Sequence, residues 1–504
     1  MNYFVNVNLG DFLTGIESAE FNRMKLFLRA GLSAKLLYLW YNPRLHELLN
    51  KFGEAGNGYS MYDYFQGCSD YSGAKKIDWV TDWKQRHYEL EYIQGATDIR
   101  VFKDRRMIMY AHFIDKSYKE VDYINYFNQN HVKLRRDVYD SRGFLSRTSY
   151  LNDDELVNTE LYFDSKKKIR IIKKFLPQDG KAVLCQITLK GHNHREYFFK
   201  SEHDFRVFFI NELNENEDIF YCDRNSRMAA DFYDVNANVK VAAVFHSTHV
   251  QPGQDVVTGE LKNGVYDFTL NHPDKLTRII VSTQKQRQDL IHRFSDLPPV
   301  VVIPVGYANH QEVDITRRNP YHIISVARYS PEKQLMHQVK AVEALIPEFP
   351  EIELHLFGFG SEIEDQIKEY ISSHNLDGHI FLRGFYSNLD DEYRKASLAL
   401  MTSIEEGFSL STLEELSFDI PVIGYNINYG PSELIKDGQN GFLVPANDQP
   451  ALQQKIREYL LDPSVDQQMM LNCGKSIEEY TPDSVMKKWE SFVENLQQNP
   501  RKKS

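Results

Sequence analysis

Residues 405–414 read EEGFSLSTLE, and this stretch decides how the rest of the chain is interpreted. The apolar segment Ser397–Thr402 comes just before it and has the composition of a buried strand, while a helix start follows the glycine turn. A strand that ends in a glycine turn and leads into a helix directs free backbone N–H groups at a phosphate. Glu406 and Glu414 lie around this turn, where they could hold sugars attached to that phosphate. The stretch therefore predicts a site for a sugar nucleotide.

The size and charge of the chain exclude several classes of protein. Its 504 residues are too many for one hydrophobic core and predict two or three domains. The net charge of −12 argues against a general nucleic-acid-binding protein, because phosphate contacts need an excess of cations. No apolar run approaches the roughly 20 residues that span a bilayer, and the first residues lack the layout of a secretion signal. The four cysteines lack disulfide or zinc spacing, so we expect a cytoplasmic protein.

Alternating strand and helix patterns predict two doubly wound, Rossmann-like α/β domains that face each other across a cleft. In the first domain, strand Tyr3–Asn8 is followed by helix Glu17–Ala30, and the buried strand Val239–Phe245 comes much later. In between, short β-type runs recur without helices, which predicts an antiparallel meander. The predicted segments are 1–56 (first domain, first part), 57–201 (β-rich insertion), 202–307 (first domain, second part), 308–481 (second domain) and 482–504 (a C-terminal helix returning to the first domain).

Residues 326–333, VARYSPEK, place Arg328 at the end of a predicted strand and Lys333 at the start of a helix. Two cations at the mouth of a parallel sheet suit a diphosphate, which carries about two negative charges. The alternative is a surface pair in a loop, and the nearby Glu406 turn weakens that alternative.

Glu414 also has a structural interpretation that needs no ligand. Ser411 and Glu414 match a capping box, with Ser411 as the N-cap residue. Glu406 has no comparable structural task. His246, directly after a buried strand, is expected to face a ligand, whereas His249 is more typical of a core histidine. The two histidines do not indicate a metal site, because no third ligand is apparent.

A basic cluster has two interpretations that both stay open. It fits a lysine-protected edge strand, or a patch for a polyanionic acceptor or a membrane surface. Its members are Lys166, Lys167, Lys168, Arg170, Lys173 and Lys174.

Four motifs together resemble glycosyltransferase family 4, the retaining enzymes with the GT-B fold. They are VARYSPEK (326–333), EGFSLSTLE (406–414), YGPSELI (429–435) and DGQNGFLVP (437–445). The segments TGIESAEFNR (14–23) and FHSTH (245–249), with the β-rich insertion, resemble one bacterial branch of that family. This branch contains the wall teichoic acid α-glycosyltransferases, which act on poly(glycerol-phosphate) or poly(ribitol-phosphate), and the related transferases of serine-rich adhesins.

The resemblance implies that the second domain binds a UDP-sugar and the first domain the acceptor, without a metal or other cofactor. Arg328 and Lys333 would hold the diphosphate and stabilise the leaving UDP. Glu414 would accept hydrogen bonds from the ribose, and Glu406 would contact the hexose. The other implied contacts are His246 beside the donor sugar, Gly15 near the diphosphate and acceptor, Phe408, Ser409, Leu410 and Ser411 at the distal phosphate, and Gly384, Phe385 and Tyr386 at the uracil. Gly407 is also among the implied donor-binding residues.

The implied function is retaining transfer of a hexose, GlcNAc or glucose, to wall teichoic acid. O-glycosylation of Ser or Thr in a serine-rich surface adhesin is the second hypothesis. A non-catalytic glycan-binding partner subunit is the third, and it predicts loss of the charged donor residues, which this sequence keeps. The implied partners are an anionic cell-wall polymer or a serine-rich protein. The resemblance also implies a homo-oligomer or a complex with a related subunit through the insertion, and contact with the inner face of the plasma membrane.

Overall fold

A computed structural model describes residues 1–73, 76–215 and 217–498 of the chain. It forms two compact units. The first unit contains Met1–Glu17 and Ser33–Lys240, and the second contains Ser18–Leu32 and the described chain from Val241 onward.

The secondary-structure elements are numbered along the chain. The strands before residue 230 are β1 (Asn2–Asn6), β2 (Ala34–Tyr38), β3 (Gly58–Ser60), β4 (Glu89–Tyr92), β5 (Asp98–Lys103), β6 (Arg106–Phe113), β7 (Val121–Phe127), β8 (Lys133–Tyr139), β9 (Leu145–Leu151), β10 (Val157–Phe163), β11 (Ile169–Gln178), β12 (Lys181–His192), β13 (Arg195–Phe199) and β14 (Ile219–Cys222). The first helices are α1 (Gly15–Arg29), α2 (Leu45–Lys51), α3 (Met61–Gln66), α4 (Trp79–Gln85), α5 (Glu202–Leu213) and α6 (Asn225–Tyr233).

The later strands are β15 (Lys240–Val244), β16 (Arg278–Val281), β17 (Val300–Val302), β18 (His322–Val326), β19 (Glu353–Phe357), β20 (Ile380–Gly384), β21 (Leu398–Met401), β22 (Val422–Asn426) and β23 (Gly441–Pro445). The later helices are α7 (Asp267–Asn271), α8 (Gln284–Arg293), α9 (Leu335–Glu343), α10 (Ser361–His374), α11 (Asp390–Lys395), α12 (Leu410–Ser417), α13 (Gly430–Leu434), α14 (Gln449–Leu461), α15 (Pro463–Ser476) and α16 (Pro482–Gln498). Short 3-10 helices occupy Pro273–Lys275, Ile315–Arg317, Pro331–Lys333 and Glu478–Tyr480.

The parallel part of the first unit has the strand order β14-β1-β2-β3. All five residues of β1 are buried, as expected of a strand covered on both faces. α1 begins at Gly15, two residues before the predicted helix start. β3 lies inside the predicted 57–201 segment, but it pairs in parallel with β2 and extends the parallel layer.

Strands β4 to β13 form one ten-stranded antiparallel sheet in sequential order. The predicted β-rich meander is therefore confirmed. On one face of the sheet, Trp83 of α4 packs with buried Ile99 and Phe113. Because each strand pairs with its sequence neighbours, the sheet forms from short hairpins and needs no crossover connections.

The basic cluster does not lie on an edge strand, whereas its role as a patch for a polyanionic acceptor or a membrane surface stays a prediction. β11 lies between β10 and β12, so the edge-strand interpretation is wrong. The side chain of Lys173 is buried, where it pairs with Glu202 and donates to the hydroxyl of Tyr62. The exposed part includes residues 166–168, in the turn between β10 and β11.

In the second unit, β17, β16 and β15 are adjacent parallel strands, and six further parallel strands form a sheet with the order β20-β19-β18-β21-β22-β23. β18 ends at Val326, two residues before Arg328, as the strand end predicted at VARYSPEK requires. The chain adds strands outward from β18 to one side and then returns to add β21 to β23 on the other. The strand order therefore reverses between β18 and β21, and ligands of doubly wound sheets bind at the carboxyl ends of the strands at this point.

The last helix packs on α1 within the second unit. The rings of Trp489 and Phe27 lie 5.6 Å apart, and the Arg29 guanidinium is 2.8 Å from the carboxylate of Asp483. Across the described residues, none of the helices combines the length and apolar composition needed to span a bilayer.

Candidate active site

Two loops meet at the point where the strand order reverses in the six-stranded sheet. One loop follows β18 and carries residues 327–333, and the other follows β21 and carries residues 402–409. β18 and β21 are hydrogen-bonded neighbours, so both loops emerge at the same edge of the sheet. The structure thus brings together the two motifs that the sequence placed 70 or more positions apart.

Lys333 and Glu406 form the centre of this arrangement. The ammonium nitrogen of Lys333 lies 2.6 Å from Glu406 Oε1, and both side chains are largely buried. Ser403 Oγ donates to the same carboxylate oxygen at 2.7 Å. The backbone of Glu406 is fixed as well, because its carbonyl accepts a hydrogen bond from the Tyr429 amide at 2.8 Å. An ammonium, a hydroxyl and a carboxylate are therefore held together at the mouth of the sheet.

Gly407 brings the strand-end histidine against this loop. A Cβ atom at Gly407 would lie 2.2 Å from the carbonyl oxygen of His246, so only glycine allows the two backbones to come this close. The His246 amide is anchored by the Tyr266 hydroxyl at 2.7 Å. The structure therefore places the backbone of His246 directly beside the glutamate turn, and its contact with a ligand stays a prediction.

Arg328 is held differently from Lys333. Its guanidinium lies 2.9 Å from Glu332 Oε1, and its side chain is 64% exposed. Burial would raise the pKa of Glu332, but hydrogen bonds and the charges of Arg328 and Lys333 outweigh it and lower that pKa. Arg328 is therefore an exposed cation beside a carboxylate that stays ionised at neutral pH.

The capping-box interpretation of Glu414 is wrong. α12 begins at Leu410, with Ser409 as its N-cap residue in the left-handed region (φ +70°), so Ser411 is already inside the helix. Glu414 instead accepts a hydrogen bond from the Tyr393 hydroxyl at 3.0 Å and keeps access to solvent. Desolvation by the surrounding protein raises its pKa, against the effect of the Tyr393 hydrogen bond.

The start of α12 supplies the backbone amides that the sequence predicted. The first intrahelical bond runs from the Leu413 amide to the Ser409 carbonyl, so the amides of Leu410 and Ser411 precede it. Phe408 contributes only its backbone, because its ring is buried against Tyr480 at 5.5 Å. The positive end of the helix dipole adds to the attraction for an anion at this place.

Aromatic side chains lie exposed at the carboxyl ends of β19 and β20. Gly384 takes a left-handed conformation (φ +76°), and Phe385 and Tyr386 directly after it are 55% and 46% exposed. The rings of Phe385 and Phe359 meet edge to face at 5.6 Å. Exposed rings directly after this glycine form a surface on which a planar base can stack.

Gly15 belongs to the first unit, where it is the first residue of α1. A Cβ atom there would meet nothing within 4 Å. The adjacent Thr14 donates its amide to Glu17 at 2.9 Å, and the buried Glu17 pairs with Arg224. Burial raises the pKa of Glu17, but the hydrogen bonds from Thr14 and Arg224 lower it overall. The backbone at Gly15 is thus open on the side where a Cβ would project.

Three residues that hold the glutamate turn are not evident from the local sequence patterns. Glu405 Oε2 accepts a hydrogen bond from Thr248 Oγ1 at 2.7 Å, and its other oxygen pairs with Lys262. Thr248 lies in the quoted FHSTH motif, but only its histidines drew attention. Lys262 is 143 positions from Glu405, and no local pattern connects residues so far apart.

His249 has a structural role. It is fully buried, and its Nε2 lies 2.9 Å from the Val256 carbonyl, to which it donates. Burial lowers the pKa of His249 to about 4, so the ring is neutral at physiological pH.

One group in the described part of the chain brings three ligand-type atoms within 4.8 Å of one another: His322, Glu353 and His355. It lies at the opposite edge of the sheet, near the start of β18 and β19. Arg383 Nε donates to His355 Nδ1 at 2.9 Å, so the proton of that ring is on Nε2, directed at Glu353. A protonated Nε2 has no lone pair for a metal, so this group does not fit a metal site. Metal-independent chemistry at the glutamate turn stays a prediction.

Comparisons with known proteins agree with this geometry. The glycosyl transferases group 1 family matches residues 309–478. The UDP-N-acetylglucosamine–peptide N-acetylglucosaminyltransferase GtfA subunit of Streptococcus pneumoniae serotype 4 is 24% identical, over 98% of this chain and 99% of that protein. The poly(ribitol-phosphate) alpha-N-acetylglucosaminyltransferase of Staphylococcus aureus (strain COL) is also 24% identical, over 97% of this chain and 98% of that protein.

Two solved structures have the same fold over the full chain. The pneumococcal O-GlcNAc transferase GtfA in complex with UDP and GlcNAc has a TM-score of 0.84 at 22% identity, covering 99% of both chains. The GtfA/B complex has a TM-score of 0.85 at 22% identity, covering 99% of this chain and 100% of that chain. Residues 309–478 are therefore a glycosyl transferases group 1 domain, and the chain that carries it is a glycosyltransferase of the GT-B fold.

Proposed function

We propose that this chain transfers a hexose, GlcNAc or glucose, from a UDP-sugar to a cell-surface acceptor with retention of anomeric configuration. Wall teichoic acid is the leading acceptor. The observation that carries the proposal is the Lys333–Glu406 pair beside the start of α12, at the carboxyl edge of the group 1 domain. A cation, a sugar-binding carboxylate and a helix N-terminus at one place suit a glycosyl diphosphate.

Lys333 and Arg328 would stabilise the diphosphate as it leaves. In the structure each of them neutralises a carboxylate, and binding of UDP would draw both cations toward phosphate oxygens. The amides at the start of α12 add fixed dipoles to the same place. Such preorganised charge lowers the barrier most where negative charge develops, here on the bridging phosphate oxygen.

The remaining residues would orient the sugar and the nucleoside. Glu406, released from Lys333, would accept from the hexose hydroxyls, with His246 beside the sugar. Glu414 would accept from the ribose, and Gly384 to Tyr386 would line the uracil. The acceptor oxygen would bond to the anomeric carbon on the face that the phosphate leaves, and its proton would pass to the departing phosphate oxygen. Gly15 would leave backbone space near the diphosphate and acceptor.

The acceptor has a second candidate, the Ser or Thr side chains of a serine-rich surface protein. The GtfA subunit and the poly(ribitol-phosphate) transferase are equally identical to this chain, so both acceptor classes have support. A non-catalytic subunit is disfavoured, because Arg328, Lys333, Glu406 and Glu414 are all present.

We place the protein in the cytoplasm, at the inner face of the plasma membrane, where UDP-sugars and growing polymers meet. We also propose assembly through the antiparallel sheet, as a homo-oligomer or with a related subunit. The existence of a GtfA/B complex of the same fold supports a related subunit.

The test is UDP release from UDP-GlcNAc and UDP-glucose, with and without each acceptor and in the presence of EDTA. Poly(ribitol phosphate), poly(glycerol phosphate) and a serine-rich peptide serve as acceptors. We expect one donor to be used, a teichoic acid to accelerate UDP release, and EDTA to have no effect. If only the peptide accelerated UDP release, the acceptor would be a serine-rich protein and not teichoic acid. Absence of UDP binding would refute the proposed function.

A further inference from the structure

Glu405, the residue next to the sugar-binding carboxylate, is held by two side chains from a distant part of the chain. Thr248 Oγ1 donates to Oε2 at 2.7 Å, and Lys262 forms an ion pair with Oε1. The side chain of Glu405 is only 13% exposed, and that of Lys262 is 22% exposed. An ion pair this sheltered from water is screened less than a surface pair.

Three consecutive residues of the glutamate turn have different partners. Glu405 contacts Thr248 and Lys262, whereas Glu406 contacts Lys333 and Ser403. Gly407 packs on the backbone of His246. The segment 246–262 is therefore attached to the turn at two points, on either side of Glu406.

We infer that Thr248, Lys262 and Glu405 are positioning residues of the donor site. They fix the positions of His246 and Glu406 relative to each other. Glu405 also keeps the Lys262 ammonium away from the Glu406 carboxylate, which would bind the sugar. This inference rests on the proposed function, and it gives a role to three residues that the proposed donor contacts do not include.

The charge on Lys262 makes the inference testable. In Glu405→Gln, the ammonium would lose its partner in a poorly solvated place and would compete with Lys333 for Glu406. Leaving one charge of a partly buried ion pair without its partner costs more free energy than replacing both partners by uncharged residues. Glu405→Gln alone should therefore lower kcat more than the double substitution Glu405→Gln/Lys262→Met does. If the two effects were additive, the double variant would instead be the slower one.

The experiment uses the full chain and four variants: E405Q, K262M, K262R and E405Q/K262M. Calorimetry gives the Kd for UDP, and hydrolysis of UDP-GlcNAc and UDP-glucose gives kcat and KM. Because a shift of about 1 Å at a reacting centre can lower the rate on the order of 100-fold, we expect E405Q to lose about 10- to 100-fold in kcat. UDP affinity should change little, K262R should resemble the wild type, and the double variant should recover much of the lost rate.

Lys173→Met provides the matched control, because Lys173 is also a buried lysine paired with a glutamate, in the antiparallel sheet. It should lower the Tm without lowering kcat. The inference would be overturned if the loss of kcat in the double variant equalled the product of the losses in the two single variants. It would also be overturned if the loss of kcat followed the loss of Tm in every variant. If the wild type binds UDP but E405Q hydrolyses donor normally, only this inference fails. If the wild type does not bind UDP at all, the proposed function fails with it.

Discussion

Arg328 and Lys333 each hold a carboxylate that a diphosphate would have to replace. Lys333 is largely buried with Glu406, whereas Arg328 lies on the surface with Glu332. The two cations should therefore contribute differently. Lys333 would give the diphosphate a desolvated, strong contact, and Arg328 would give it a screened contact whose strength depends on Glu332.

Lys333→Ala should weaken UDP binding and slow turnover. A charge-assisted hydrogen bond of this kind is worth about 1.5–3 kcal/mol, which corresponds to about 10- to 100-fold in Kd. Isothermal titration with UDP measures the loss. Lys368→Ala, which removes an exposed lysine paired with Glu364 on α10, is the control and should bind like the wild type. If Lys333→Ala and the wild type bound UDP with equal affinity, Lys333 would not be a ligand of the diphosphate.

Glu332→Gln should strengthen UDP binding by several-fold. The substitution removes the carboxylate that neutralises Arg328, and the net charge of the loop becomes more positive toward a diphosphate. The gain should shrink as salt is added, because Arg328 is exposed and its interactions are screened. Titrations at low and high ionic strength measure both effects. A weaker Kd at low salt would show that Glu332 itself supports the nucleotide.

At the scale of the element, α12 combines two glutamates with different surroundings. Glu414 reaches solvent and Tyr393, whereas its neighbour Glu415 is 1% exposed, with Oε2 unpaired among the described residues. Desolvation, helped by the charge of Glu414, raises the pKa of Glu415 well above its usual value. The sequence shows both glutamates, but the helix start at Leu410 decides which one faces inward. The capping-box hypothesis failed because Ser409 adopts a left-handed conformation that sequence pattern does not reveal.

Glu415→Gln should stabilise the protein increasingly as the pH rises above about 4.5. Folded Glu415 retains a proton that the unfolded chain releases in this window, so the stability of the wild type falls with rising pH. Glutamine cannot ionise, and it removes this dependence. Each unit by which the folded pKa exceeds the unfolded pKa corresponds to about 1.4 kcal/mol, which sets the scale of the gain. Tm measured from pH 4 to pH 8 tests it, with the exposed Glu369→Gln as control. A Tm difference that does not grow with pH would contradict the assignment.

At the scale of the whole molecule, local sequence patterns predicted that the loops after β18 and β21 meet at one edge of the sheet, but they did not predict side-chain pairs between distant segments. Arg328 and Lys333 lie in one loop and Glu406 in another, each directly after a strand, so strand order alone brings them to one edge. The Glu405–Lys262 pair depends on how segments far apart in the chain pack, which no short motif encodes. The antiparallel sheet was predictable from its short β runs. The burial of Lys173 was not, because it depends on α3 and α5.

Assembly through the antiparallel sheet is the prediction that belongs to the whole molecule. Leu176 of β11 and Val183 of β12 lie opposite each other in register, and they are 61% and 42% exposed. Two exposed aliphatic side chains at one end of a hairpin favour contact with another chain. Leu176→Asp/Val183→Asp should therefore reduce the mass measured by light scattering, while UDP binding, which we propose for the group 1 domain, should stay as in the wild type. Leu471→Asp, which places the same charge at a 60% exposed leucine of α15, should leave the mass unchanged. A wild-type protein that is monomeric at all concentrations, or a double variant of unchanged mass, would exclude this hairpin as the assembly surface.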